Sequence, residues 1–221
     1  MWTSSDRIPI ENHKQFLNMA SDRKWVIVRI DGKIAAISTD YKALADVAAR
    51  LAKESRPEHM NVVAETVSFD SVWGLRCKAR WEDFILFGTE FQKKVWRTLY
   101  DLTHPDEGSD CKTVRGDGQG SAKPRLLSYS DFAELCENRA GVRAVAHAVG
   151  LNPLAVVIPC HLVVPKESID RIRDIRRKAE DTIFKGDDLC LDKVLRDPAT
   201  DFGEYSLGRK LKMELILKEL L

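Results

Sequence analysis

No Cys-x-x-Cys pair occurs in this chain, and its five cysteines, Cys77, Cys111, Cys136, Cys160 and Cys190, are odd in number and scattered. That pattern argues against a zinc ribbon and against a disulfide framework, and it fits a reducing compartment. Charge of one sign is missing too. Lys and Arg total 35 against 34 Asp and Glu, a net charge of +1, which excludes a global nucleic-acid signal. A local basic face remains open, because distribution rather than net charge makes the electrostatic footprint. The opening residues, MWTSSDRIPIENHKQF, hold no apolar core of signal-peptide length, and no later run is long enough to cross a bilayer. The expectation is a cytoplasmic protein (nuclear in a eukaryote) without membrane contact. With 221 residues the chain can bury a core as one large domain or two small ones.

What is present begins with a hairpin signal. Residues 25–39, WVIVRIDGKIAAIST, alternate apolar and polar around Asp31-Gly32, which predicts two strands and a tight turn. Residues 41–53 carry Leu44, Val47, Ala48 and Leu51 at helical spacing, and residues 61–72 read as a further strand. This N-terminal third reads as a small α/β scaffold with no constellation of chemistry. From about Phe87 a second unit starts. Thr89 caps a helix whose apolar face is Phe91, Val95, Trp96, Leu99 and Leu102. Residues 103–124 are polar and glycine-rich, a loop or insertion rather than core. Ser128 or Ser130 then caps a helix with Phe132, Leu135 and Cys136, and after a polar turn at 138–141 comes the run 142–149. Two short helices around Gly141 make a helix-turn-helix pattern.

The chemistry sits in residues 152–165, NPLAVVIPCHLVVP, where Cys160 and His161 stand side by side behind an apolar run that should be buried. A thiol becomes a nucleophile when a neighbouring base takes its proton, and the thiolate is the reactive form. The alternative fate of such a cysteine is to pack as a small hydrophobe.

Together these pieces resemble the alkylguanine-DNA alkyltransferases, the methylated-DNA–protein-cysteine methyltransferases. The resemblance runs from about Phe87 to Leu221. It rests on FQKKVWRTL, SYSDFAEL, VRAVAHAVGLNPLAVVIPCH and GEYSLGRKLKMELILKEL, in the family's order. It implies a variable α/β (ribonuclease-H-like) domain over residues 1–84. It also implies a mainly α, helix-turn-helix (winged-helix-like) alkyltransferase domain over 85–221, with insertions at about 103–124 and 166–202. The implied reaction is a one-way, single-turnover transfer of an alkyl group from 6-O-alkylguanine in double-stranded DNA to the protein's own cysteine. It needs no cofactor and no metal, the protein acts as a monomer, and the damaged nucleotide is flipped out of the stack.

The resemblance also implies roles. Cys160 is the nucleophile, His161 its base through a water, and Glu219 orients the imidazole. Tyr129 assists flipping and donates a proton toward the guanine, and Asn152 braces the turn before the active-site segment. Arg143 enters the stack in place of the flipped base. The small residues Ala144, Ala146 and Ala148 let the helix approach the DNA backbone, and Ser128 belongs to the same DNA-binding surface. Val163, Tyr205, Ser206 and Lys212 form the substrate pocket, with the carbonyls of Cys160 and Val163 accepting from the guanine amino group.

Three departures accompany the likeness, besides a His147 bulkier than the usual glycine. Leu162 stands where the family nearly always has arginine, Ile169, Ile172 and Ile175 recur among arginines in the second insertion, predicting an added amphipathic helix, and the 103–124 loop lengthens the approach to the helix-turn-helix. A lesion-binding or regulatory DNA-binding protein that transfers weakly is the alternative function.

Overall fold

The computed structural model describes residues 20–39, 41, 45–47, 49, 60–104, 126–180 and 200–220. The expected hairpin forms from β1, Trp25–Ile30, and β2, Lys33–Ser38. Asp31 and Gly32 both take positive φ, 49° and 83°, the left-handed pair that a two-residue turn needs to match strand twist. A third strand, β3, Val62–Val67, pairs antiparallel with β1, giving the order β2-β1-β3. The alternation in β1 does not divide core from solvent. Ile27 belongs to one buried cluster and Val26, Val28 and Ile30 to another, so both faces of the strand are covered.

The strand expected over 61–72 is shorter. It ends at Val67, and α1, Phe69–Lys78, begins after Ser68, whose hydroxyl accepts from Ser71 N at 3.3 Å. Ala45, Asp46, Val47 and Ala49 are helical, as expected; the rest of the 41–53 helix, apart from Tyr41, lies outside the described residues, as does nearly all of the 103–124 loop.

Helix α2, Glu90–Asp101, starts with a reciprocal cap in which Thr89 Oγ1 accepts from Gln92 N and Gln92 Oε1 accepts from Thr89 N. Its buried stripe is Val95, Trp96, Leu99 and Tyr100. Ser128, not Ser130, caps α3, Tyr129–Leu135, and a one-turn 3-10 helix, Arg139–Gly141, leads into α4, Val142–Gly150. The Trp96 indole donates to Ala148 O at 2.8 Å, fixing α4 to α2. Two short parallel strands, β4 (Leu127–Ser128) and β5 (Val163–Val164), bring the start of α3 beside the residues that follow His161.

Two backbone joints attach the N-terminal sheet to the rest. Ile37 N donates to Pro153 O at 2.8 Å, and Ile85 N donates to Ile34 O at 3.0 Å. One continuous buried cluster runs from Trp25, Ile27 and Ile37 through Trp96 and Phe132 to Cys160 and Leu215. The edge strand β2 is therefore seated against the very turn that carries Asn152.

The second insertion opens with α5, Lys166–Glu180, and α6, Arg209–Leu220, closes the described chain. Ile172 of α5 is buried in a cluster with Leu162, Val164, Phe202 and Ile216. Leu162 itself is fully covered. Two of the departures are thus one arrangement: an apolar side chain after His161 and an added helix that packs on the same cluster. Among the described residues no helix is long and apolar enough to cross a membrane.

Truncating Ile172 to alanine should cost about 2–4 kcal/mol, the usual range for deleting a buried Ile. Urea unfolding of the variant checks this. A loss near zero would mean that α5 does not hold Leu162 in the core.

Candidate active site

Residues 154–158 are fully or almost fully buried, as the apolar run requires. They form an irregular turn rather than a strand. Ile158 N bonds to Leu154 O at 2.9 Å, Cys160 N bonds to Ile158 O at 2.8 Å, and a single 3-10 turn, Cys160–Leu162, follows. Val156 takes φ 74°, a left-handed conformation that is sterically poor for a β-branched residue. The strain lies four residues before Cys160.

Asn152 holds this turn by every polar atom of its amide. Its Oδ1 accepts from Leu154 N at 3.0 Å, and its Nδ2 donates to Ile158 O at 2.8 Å and to Cys160 Sγ at 3.0 Å. The same side chain braces the loop and touches the sulfur. Burial pushes the Cys160 thiol above its ordinary pKa; the Asn152 hydrogen bond, then the Lys212 charge and Tyr205, pull it back in part. At rest the sulfur carries its proton.

His161 is completely buried, and its Nε2 lies 2.8 Å from Glu219 Oε1. Burial holds the imidazole well below the ordinary histidine range, and the charges of Arg76 and Lys212 act in the same direction. A neutral ring beside a carboxylate donates Nε2–H, which leaves Nδ1 as the acceptor. Nδ1 is buried and has no hydrogen-bond partner. It is the atom available to take a proton.

The N-terminal unit enters here, against the expectation of a scaffold without chemistry. Arg76 of α1 is buried, and its guanidinium forms an ion pair with the same Glu219 Oε1 that His161 touches. Burial lowers the Arg76 pKa to about 10, still charged at neutral pH. A signal was present in the sequence: Phe69, Val72 and Arg76 share one helical stripe, so the arginine occupies a core position.

The other predicted residues fall into three groups. Around the thiol, Lys212 Nζ donates to Val163 O at 2.9 Å and to Phe202 O at 2.6 Å, and burial lowers its pKa to about 8. The Val163 carbonyl keeps only its second lone pair for a ligand. The Tyr205 hydroxyl is buried without an oxygen or nitrogen partner, and its pKa is raised by burial and then by the Cys160 charge. Tyr129, half-buried, is raised by burial and then by Cys160. Its hydroxyl lies where a Cβ on Gly203 would come within 3.3 Å, and Gly203 has φ 75°, so this position needs glycine.

A second group is on the surface. Arg143, Ala144 and His147 are exposed on α4, and Ala146 is half-buried. Ala148 is not on that face: it packs in the core beneath Trp96 and presents nothing to an incoming backbone. The third group is Ser128 and Ser206. The Ser128 hydroxyl is buried and engaged with Asp131 N and Oδ2, capping α3, so its side chain offers no outward contact. Ser206 is exposed and lines a cavity of about 330 Å³ with Asn152, Ala155 and Ala36.

Residues 123–179 match the family described as 6-O-methylguanine DNA methyltransferase, DNA binding domain. The chain is 35% identical over 86 residues to a protein of Acanthamoeba polyphaga mimivirus named probable methylated-DNA–protein-cysteine methyltransferase, covering 39% of this chain and 45% of that protein. It is 35% identical over 95 residues to the methylated-DNA–protein-cysteine methyltransferase of Kluyveromyces lactis, 43% of this chain and 37% of the other. The regulatory protein ada of Salmonella typhimurium is 36% identical over 95 residues, 42% of this chain and 22% of that protein. The similarity therefore spans less than half the length of these relatives.

The state of His161 has a consequence for acid stability. An unfolded chain protonates this side chain near pH 6.5, whereas the folded imidazole does so only well below that value. The native state then binds fewer protons, so stability falls as pH drops below about 6.5, by up to about 1.4 kcal/mol per pH unit. Urea midpoints at about pH 7.5 and about pH 5.5 should show this loss in the wild type and a smaller one in His161→Gln. Equal losses would place the acid sensitivity elsewhere.

Proposed function

We propose that this chain, whose residues 123–179 match the DNA-binding domain of the 6-O-methylguanine DNA methyltransferase family, takes an alkyl group from the 6-oxygen of guanine in DNA onto Cys160 Sγ. The observation that carries the reading is a buried thiol held by Asn152, next to a buried imidazole whose Nε2 is on Glu219 and whose Nδ1 has no partner.

The step balances on residues of this site. Nδ1 of His161 takes the thiol proton, directly or through one water. The sulfur attacks the alkyl carbon, an S–C bond forms, and the bond from carbon to the guanine 6-oxygen breaks. The electron pair stays with the base, and the Tyr129 hydroxyl supplies a proton to the ring. Because burial and the Cys160 charge raise its pKa, Tyr129 is protonated and able to donate. The imidazolium then returns its proton to the tyrosinate. No group in the cluster cleaves a thioether, so each chain acts once.

Access follows from the same arrangement. The target oxygen lies inside a stacked duplex, so the nucleotide must turn out, which costs a few kcal/mol and least for a weakened pair. α3 and α4 form the helix-turn-helix, and β4 with β5 supplies the short strand pair beside it. Arg143 and Ala144 on the exposed face of α4 meet the DNA, and the flat guanidinium of Arg143 fills the gap in the stack. Val163 and Tyr205 border the receiving pocket, and Lys212 fixes two of its carbonyls. In this reading residues 1–84 form the N-terminal domain and 85–221 the transferring one.

The test is on the DNA side. A duplex with one 6-O-methylguanine is incubated with increasing protein and digested, and its nucleosides are quantified by mass spectrometry. Restored guanine should rise to one per chain and stop, and Cys160→Ala should restore none. Turnover beyond one equivalent, or no restoration by the wild type, would contradict the proposal.

A further inference from the structure

The feature left over by that mechanism is Arg76. It is buried, it comes from α1, and it shares Glu219 Oε1 with His161. A carboxylate that touched only the imidazole would draw a proton onto the ring and so favour an imidazolium–thiolate pair. A carboxylate matched by a guanidinium has a much weaker pull. Arg76 itself is anchored by its helix, with Phe69 and Val72 on the same stripe and its guanidinium 5.1 Å from the Trp73 ring. It is therefore a fixed charge, not a mobile one.

We propose that Arg76 is a positioning residue that neutralises Glu219 and so keeps the proton on Cys160 and the ring of His161 neutral until a substrate is seated. This deepens the alkyl-transfer reading and rests on it for the identity of the substrate, though not for the proton arrangement. The charged and titratable groups acting on the imidazole are Arg76 from α1, Lys212 and Glu219 from α6, and Cys160 beside it; Tyr205 interacts with both the sulfur and Arg76. Arg76 and Lys212 both oppose protonation of the ring, and Glu219 favours it. Lys212 is committed to two carbonyls and also stabilises the thiolate, whereas Arg76 pairs directly with the carboxylate that His161 touches. A protein with a single sacrificial thiol benefits from a resting state in which that thiol is protonated and slow toward stray electrophiles.

The experiment titrates His161 by NMR on ring-labelled full-length protein and measures the pH dependence of Cys160 alkylation by iodoacetamide, followed by intact mass. In Arg76→Met the unmatched carboxylate should raise the His161 midpoint by about one unit and make alkylation near neutral pH about tenfold faster. Arg76→Lys, which restores the charge, should return both readouts toward wild type. If the methionine variant does not fold, Glu219→Gln is compared with Glu219→Gln/Arg76→Met, where no buried carboxylate is left unpaired. There the arginine should depress the histidine midpoint and its removal should raise it. An unchanged midpoint on removing Arg76 in either background, or lysine and methionine variants that behave alike, would overturn the proposal. Neither readout uses DNA. If these shifts occur while a methylated duplex is left unrepaired, Arg76 keeps its role and the substrate assignment alone fails.

Discussion

A carboxylate at the bottom of a core is the constraint around which this molecule is arranged. Glu219 sits near the end of α6 with almost no exposure, and it is tolerated there because Arg76 and His161 both reach the same oxygen. Removing one partner of such a group typically costs about 3–5 kcal/mol, whereas replacing the whole set with apolar side chains is often neutral. Net stability is therefore a poor explanation for the cluster. Its value lies in what it connects: α1 of the N-terminal unit, the terminal helix and the Cys160–His161 turn meet at one atom.

That junction makes the N-terminal sheet more than a platform. β2 hydrogen-bonds to Pro153, next to the residue whose amide holds the thiol, and α1 delivers a cation to the carboxylate behind the imidazole. The two contacts approach the reactive pair from opposite ends of its turn. Between them, residues 154–158 are buried and Val156 is held left-handed, so the turn has little freedom to relax. Cys160 is thus held in place by its surroundings. On the far side, Leu162 and α5 close the cluster with apolar packing.

Much of this was legible along the chain, because the signals were local. The Asp31-Gly32 hairpin, the Thr89 and Ser128 caps and the amphipathic stripe of α2 each depend on residues within a turn or two of one another. The Cys160-His161 pair and its distant carboxylate Glu219 were readable through the family resemblance. The start of α1 is hidden because VVAETVSFDSV continues the apolar and β-branched character of β3, and only the Ser68 cap marks the change. The resemblance implies a DNA-facing Ala148, while the helical register turns it inward. Arg76 could not be assigned a partner at all. Its stripe is visible in α1, but Glu219 lies at the other end of the sequence, and only the docking of α1 against α6 brings the charges together.

The most direct test of the account is to locate the transferred group. After incubation with a duplex carrying 6-O-methylguanine, the protein is digested and the peptide bearing Cys160 is sequenced by mass spectrometry. The account predicts one added methylene on the Cys160 sulfur, absent from Cys77 and Cys136 and absent after incubation with undamaged DNA. A methyl group on another cysteine, or an unmodified Cys160 in protein that binds the damaged duplex, would contradict it.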